Sequence, residues 1–223
     1  LLKMKPGRTM AVAQALFEQG LITYHRTDSV ALSAEAIAMA RARIQREHPE
    51  ALPAAPVQFP NRASAQEAHE AIRPTHDGGA ELSGQEAALY DLIVRRFLAC
   101  QCRPAKVAIT TVLLQSPGAM WRARGRVVLE PHWLHYLPAD EESERKSPEV
   151  EDDEAGARIP QVLRGERQRV KALEVKGGQT KPPPRFTQAS LVRELERLGI
   201  GRPSTYASIV DDQEGVLFER EYL

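Results

Sequence analysis

The sequence has little cysteine, few aromatic residues and no long apolar run. Of its 223 residues, two are cysteine and 5% are aromatic. Cys100 and Cys102 are separated by one residue, which is neither a zinc-ligand spacing nor a disulfide framework. We therefore expect reduced, inert thiols of a cytosolic protein. No apolar run approaches a membrane span and the first residues lack signal-peptide zones, so we expect no membrane association.

The chain also lacks net charge, with 30 basic and 30 acidic residues, but the charges are unevenly spread. Residues 140–154 hold nine acidic and two basic side chains, and the rest of the chain holds 28 basic and 21 acidic ones. We interpret the acidic run as a solvated loop. The remainder is cationic enough to bind the backbone of a nucleic acid.

The patterns of apolar residues predict a mixed α+β chain. Helical spacing, capping residues and helix breakers predict that the first hundred residues are mainly helical. The predicted helices cover 9–19, 34–47, 67–72 and 84–98, the last opened by a capping box at Ser83–Glu86, with a loop over 52–62. A β-hairpin is predicted over 106–115 and 120–129, strand-like alternation over 167–175, a helix between Thr187 and Gly199, and another from near Ser204.

A tyrosine and an arginine two residues apart suggest chemistry on phosphodiesters. In an extended segment Tyr24 and Arg26 point to one face and His25 to the other. A phenolate can attack a phosphodiester, and a guanidinium grips phosphate oxygens with paired donors. The alternative is a half-buried aromatic residue beside a solvated charge, with Arg26 in a salt bridge, for example to Asp28.

Three segments resemble the type IA DNA topoisomerases. The first is GLITYHRTDS at 20–29, the second AHEAIRPT at 68–75, and the third PPPRFT at 182–187, which leads to GIGRPSTYA at 199–207. The resemblance implies that Tyr24 is the nucleophile of a 5′-phosphotyrosyl intermediate and that Arg26 polarises the scissile phosphate. One DNA strand would be cut and resealed without ATP, which relaxes negative supercoils in the intact enzyme.

The resemblance also implies several DNA-binding residues, with single-stranded DNA preferred. If residues 67–72 are helical, His69 and Arg73 lie on one helical face. Arg202, Ser204 and Thr205 would form a phosphate cradle at a helix start, although Ser204 could simply cap that helix. Arg185 is a further backbone-contact candidate. Trp121 and Trp133 could stack on bases, but burial in the β-rich region is the favoured interpretation.

The resemblance implies a central part of a larger, ring-shaped enzyme. Residues 1–105 would form a winged-helix-like catalytic domain, 106–178 a β-rich arch segment, and 179–223 the start of a helical base domain. The enzyme would require Mg²⁺, bound by an N-terminal domain of the same polypeptide, so we expect no metal site in this chain. Leu1 in place of Met agrees with an excised piece, inactive in relaxation alone. Its location would be cytoplasmic, with the nucleoid.

Two other functions fit parts of the sequence. A non-catalytic single-stranded-DNA-binding module on the same scaffold would bind DNA without forming a covalent adduct. An unrelated nicking or recombining enzyme would usually place a histidine cluster or several arginines around its tyrosine, and the spacing around Tyr24 does not supply that set.

Overall fold

A computed structural model describes residues 2, 4–60, 69–78, 81–137, 159–160, 162–175, 177–180, 182 and 185–211, which form two units. The first unit comprises the described residues of Leu1–Pro104, His132–Glu144 and Arg185–Leu223. The second unit comprises those of Ala105–Pro131 and Arg145–Pro184. The three functional domains proposed from the sequence remain a prediction.

The described residues of the first unit form five helices and two short 3₁₀ turns. The helices are α1 (Pro6–Glu18), α2 (Ala34–Glu47), α3 (Gly84–Ala99), α4 (Gln188–Leu198) and α5 (Tyr206–Asp211), and the 3₁₀ turns are Pro49–Ala51 and His132–His135. Two helices begin where the sequence predicts, because side chains cap their first turns. The Ser33 side chain caps α2 by accepting from Ala36 N–H. The Thr187 and Ser190 side chains form a capping box at α4, which ends at left-handed Gly199.

Two helix predictions were wrong in part. The described residues of 67–72 are not helical, because their backbone bonds to distant segments, for example from Ala71 N–H to the Ala31 carbonyl. Helix α3 does begin after Ser83, but the Ser83 side chain makes no capping bond. Glu86 instead accepts a hydrogen bond from Gln19 at 3.2 Å, which ties α3 to the end of α1.

The core of the first unit lies where α1 and α2 pack on α3. Leu16, Ile22, Ile44 and Leu98 are almost completely buried there. Gln101, at the end of α3, is also fully buried, and its side-chain amide bonds both backbone groups of Val57. These two hydrogen bonds provide partners for the buried amide of Gln101 and hold the predicted loop after α2 in place.

The cysteines lie at the same end of α3. They are not joined in a disulfide, and Cys102 is buried. Burial raises the pKa of both thiols, that of Cys102 to about 12. Such thiols are almost entirely protonated at neutral pH, which agrees with the expectation of inert cysteines.

The second unit contains the predicted hairpin. Strands β1 (Lys106–Ser116) and β2 (Ala119–Glu130) pair antiparallel around a turn in which Gly118 has φ of 80°. The strand-like expectation for 167–175 was wrong. These residues are irregular, and Val170 and Val175 are 75% and 88% exposed, so no burial fixes the alternation as a strand.

The two tryptophans differ in their burial. Trp121 is 46% exposed, against the expectation of burial, and its indole N–H donates to Ser116 Oγ. Trp133 is partly buried and packs against the core of the first unit.

Within the ranges described above, no helix has the length and apolar character needed to cross a bilayer.

Candidate active site

The segment that carries Tyr24 is held by backbone pairing with the 71–75 segment. After α1, Gly20 turns the chain with φ of 71°, a left-handed conformation that glycine adopts without strain. Buried Ile22 then forms an antiparallel bridge with Pro74. Thr23 N–H donates to the Arg73 carbonyl at 2.9 Å, and the Thr23 hydroxyl bonds both Ala71 O and Arg73 N–H. Two motifs that are separate in sequence are thereby joined one residue before the tyrosine.

After the residues that pair with the 71–75 segment, side chains alternate between exposed and buried, as the sequence predicts. Tyr24 is 41% exposed and Arg26 is exposed, whereas His25 between them is 2% exposed. The segment is irregular rather than a regular strand. The phenol and the guanidinium therefore face solvent together.

The ring of Tyr24 is supported edge-on by three other rings. Its centroid lies 5.4 Å from that of Phe17, 5.5 Å from that of His25 and 5.8 Å from that of His69, with interplanar angles of 65–68°. Edge-to-face contacts of this kind are favourable and fix ring orientation. They bring His69, from the second motif, next to the tyrosine.

His25 is a support residue that sequence reasoning left without a role. Neither ring nitrogen has a hydrogen-bond partner among the described residues, and the ring also contacts Phe17. Burial and the positive charge of Arg26 lower the pKa of His25, against a weaker opposing effect of Glu18. A neutral imidazole thus supports Tyr24 much as an apolar side chain would. The sequence signal for the burial of His25 was its position between Tyr24 and Arg26, which alternation places on the other face.

The third motif reaches the same site through an ion pair. Arg202 Nη1 lies 3.4 Å from Asp28 Oδ2, and the side chain of Arg202 is 62% exposed. The alternative pairing of Arg26 with Asp28 does not occur, and Arg26 has no ion-pair partner among the described residues. Thr205 Oγ1 accepts from Arg202 N–H at 2.9 Å, which shapes the turn before α5. Exposed Ser204 lies in that turn.

Arg73 has a structural role that the sequence did not suggest. Its guanidinium bonds Glu70 Oε2 through Nε at 3.0 Å and Nη2 at 2.6 Å, and Nη1 bonds the Pro74 carbonyl. The side chain is only 14% exposed. Since no helix carries them, the predicted common helical face of His69 and Arg73 was wrong. The guanidinium of Arg73 instead fixes the loop behind Tyr24.

Glu70 is the centre of this loop. Its Oε1 accepts from Ser33 N–H at 2.9 Å, so one carboxylate joins Arg73 to the start of α2. Burial opposes the charge of Glu70, but the hydrogen bonds from Ser33 and Arg73 outweigh it, and the pKa of Glu70 is lowered. Arg185, in contrast, is exposed before α4, and no contact among the described residues brings it to Tyr24.

One histidine–carboxylate group lies elsewhere in the first unit. His135 Nε2 and His48 Nδ1 lie 3.1 Å and 3.5 Å from Glu50 Oε1, and the two imidazoles stack with centroids 3.9 Å apart at 8°. In the described part of the chain this is the only group of three or more histidine, cysteine or acidic side chains whose ligand atoms lie within 4.8 Å of one another. Parallel stacked rings cannot both direct lone pairs in plane at one ion, so we interpret the group as a hydrogen-bonded connection between the two 3₁₀ turns.

Comparison with known proteins identifies relatives of the whole chain. The profile of the DNA topoisomerase family matches residues 1–223. The chain is 43% identical to DNA topoisomerase 1 of Pseudomonas aeruginosa over 209 residues, which are 91% of this chain and 23% of that protein. It is 44% identical to DNA topoisomerase 1 of Zymomonas mobilis over 225 residues, which are 97% of this chain and 18% of that protein.

A solved structure supports the same relationship. Full-length topoisomerase I from Thermotoga maritima superposes with a TM-score of 0.68 at 28% identity, covering 96% of this chain and 35% of that one. The chain spans between 18% and 25% of the length of the curated relatives it matches.

Proposed function

Because this chain belongs to the bacterial type IA DNA topoisomerase family, we propose that Tyr24 cuts and reseals one DNA strand. The Tyr24 Oη would attack a backbone phosphorus, and the bond from that phosphorus to the 3′ oxygen of the preceding nucleotide would break. The phenolic proton ends on the departing 3′ oxygen, so the products are a 5′-phosphotyrosyl ester and a 3′ hydroxyl. The reverse attack by that hydroxyl reseals the strand and needs no ATP, because the ester conserves the bond.

The convergence of three separated segments at one exposed tyrosine carries this proposal. Phe17, His25 and His69 support the ring of Tyr24, while its exposure leaves the residue accessible to a DNA strand. Arg26 faces solvent with it. A buried structural tyrosine would need no exposed cation beside it, so the arrangement favours chemistry over packing.

The proposed DNA-binding residues divide into those whose side chains would contact phosphate and Arg73, whose side chain would not. Arg26 would bind the scissile phosphate and stabilise charge that develops on its oxygens. His69 and Arg202 would bind phosphates next to Tyr24, in agreement with the ring contact and the ion pair to Asp28. Ser204, Thr205 and Arg185 would contact the backbone further along. Arg73 would act indirectly, by holding the loop that carries His69.

Membership of the family fits a magnesium requirement in general, but the described residues do not fit a magnesium ion. The group at Glu50 offers two imidazoles and one carboxylate, whereas Mg²⁺ prefers an octahedron of oxygen ligands. No step proposed for this chain therefore depends on magnesium held by its own residues. We propose that the ligands belong to another domain, and that the partner is DNA, single strands preferred, in the cytoplasm.

The test is covalent capture of DNA by a full-length chimera. In this chimera the chain replaces the matching 209-residue segment of the Pseudomonas aeruginosa relative. With 5′-labelled or 3′-labelled single-stranded DNA and Mg²⁺, we expect a protein–DNA adduct on a denaturing gel from the 3′-labelled DNA alone, since the 5′ phosphate is attached. Tyr24→Phe should abolish the adduct and leave binding nearly unchanged, because only the nucleophilic oxygen is lost.

Tyr90→Phe is the matched control, because Tyr90 is a buried tyrosine whose hydroxyl bonds the Gly78 carbonyl in the same unit. It should retain the adduct. If the Tyr24→Phe chimera still formed the adduct, Tyr24 would not be the nucleophile. Binding without an adduct in the parent chimera would favour the non-catalytic DNA-binding module.

A further inference from the structure

The hairpin of the second unit carries three arginines at alternate positions of β2. Arg122, Arg124 and Arg126 therefore point to one face of the ribbon. The register places them opposite three residues of β1 that share this face: Leu113, Thr111 and Ile109. All six residues are exposed. We call this surface the arginine face.

On the opposite face of β2 only the middle is covered, between exposed Trp121 and exposed Leu129. Ala123 and Val127 are half-buried and Gly125 is buried. Alternation that buries small and apolar residues on one side does not require arginine on the other, since any polar residue would satisfy it. Alternation alone therefore does not account for the choice of three guanidiniums.

The arginine face has little negative charge from its own hairpin. Among the residues of β1 and β2 the one acidic side chain is Glu130, which pairs with Lys106 at 2.7 Å at the base of the ribbon. Lys106 thereby offsets Glu130, and the three arginines give the ribbon its net positive charge. A surface of this kind fits an anionic partner.

The spacing of the arginines indicates which anion fits. Alternate residues of a strand lie about 6.8 Å apart, close to the separation of successive phosphates in an extended nucleic-acid strand. Each guanidinium can grip one phosphate with two donors. Ile109 and Leu113 are 56% and 63% exposed beside them, and such apolar side chains suit the sugars and unpaired bases of a single strand.

We infer that the arginine face is a binding site for the backbone of single-stranded DNA, formed by the second unit alone. The inference rests on the proposed function for the identity of the partner. It adds a contact site that needs neither Tyr24 nor the residues around it. The two can therefore fail separately, since adduct formation tests Tyr24 and binding tests the arginine face.

The test compares three triple variants with the parent chain by fluorescence anisotropy, using a labelled single strand and the same strand in a duplex, at several salt concentrations. Arg122→Gln/Arg124→Gln/Arg126→Gln should weaken binding at least tenfold. Each phosphate contact on a single strand contributes about 0.7 to the slope of log K against log salt, so the slope should fall by about 2. Circular dichroism should be unchanged, because all three positions are exposed.

The control is Arg164→Gln/Arg167→Gln/Arg169→Gln, which removes the same charge from exposed, irregular residues of the same unit. It should change the slope by less than half as much. Lysine at 122, 124 and 126 should restore the slope but not the full affinity, because an ammonium lacks the planar fork.

Three outcomes would overturn the inference. These are an unchanged slope in the glutamine variant, an equal loss in the control variant, and a loss confined to duplex DNA. An unchanged slope together with a normal Tyr24 adduct in the chimera would reject the arginine face while leaving the proposed function intact.

Discussion

At the scale of single residues, the site separates support from reactivity by simple alternation. His25 is buried and neutral, while its neighbours Tyr24 and Arg26 face solvent. A buried polar group without a partner costs about 1–3 kcal/mol, so His25 supports the tyrosine at some expense of stability. The sequence predicted the alternation, but it gave no sign that Phe17 would contact the ring of Tyr24.

Arg26→Lys in the chimera should reduce the rate of single-turnover cleavage by about ten- to a thousandfold, as for loss of one electrostatic stabiliser. The ammonium keeps the charge but not the paired donors that match phosphate oxygens. The measurement is rapid-quench adduct formation at saturating DNA.

Arg197→Lys is the control, because Arg197 is an exposed arginine that bonds Glu194 on α4. It should cleave at the parent rate. Parent-like cleavage by Arg26→Lys would show that Arg26 acts only through its charge or outside the site.

At the scale of elements, local patterns predicted the helices and the hairpin, and distant partners decided the rest. Ser33 and Thr187 cap their helices as their sequence positions indicated. The loop before Pro74 could not be predicted in this way, since its geometry depends on Glu70 bonding Ser33, 37 residues away. Arg73 illustrates the consequence, because an arginine that looks like a phosphate ligand in sequence is used to hold Glu70.

The pKa of Glu70 makes the stability of this loop dependent on pH. Because its folded-state pKa is lowered from the ordinary 4.5, its contribution to stability is complete above that value. It is lost as pH falls through the lower folded-state pKa. Glu70→Gln should lower the free energy of unfolding at pH 7 and reduce its loss between pH 5 and acid, measured by urea denaturation.

Glu81→Gln at an exposed glutamate is the control for removal of one carboxylate from the same unit. It should leave the acid dependence close to that of the parent chain. If Glu70→Gln and the parent lose stability in parallel between pH 7 and acid, the carboxylate of Glu70 does not hold the loop.

At the scale of the whole molecule, a chain without net charge is expected to behave as a cation toward DNA. We expect it to bind single-stranded DNA more tightly than duplex and to lose affinity as salt rises, because phosphate neutralisation releases counterions. His69→Ala and Arg202→Ala should each weaken binding modestly, by similar factors for unrelated sequences, if both contact backbone. Anisotropy with several oligonucleotides at two salt concentrations measures this.

Arg46→Ala is a matched control for Arg202→Ala. Both arginines pair with an aspartate, and their side chains are 60% and 62% exposed. Equal losses in the two variants, or binding that ignores salt, would contradict a specific role for Arg202. Plasmid relaxation is expected from the chimera and not from the chain alone.

The interrupted sequence of the first unit has a consequence for synthesis. Asp28 meets Arg202 across 174 residues, and α5 packs on α1, so the two ends of this unit must find each other. The hairpin lies between them and pairs residues at most 24 positions apart. Contacts that are close in sequence form faster. On the ribosome the nascent hairpin can close early, while Asp28 in the tyrosine segment cannot form its ion pair until Arg202, 174 residues later, has emerged.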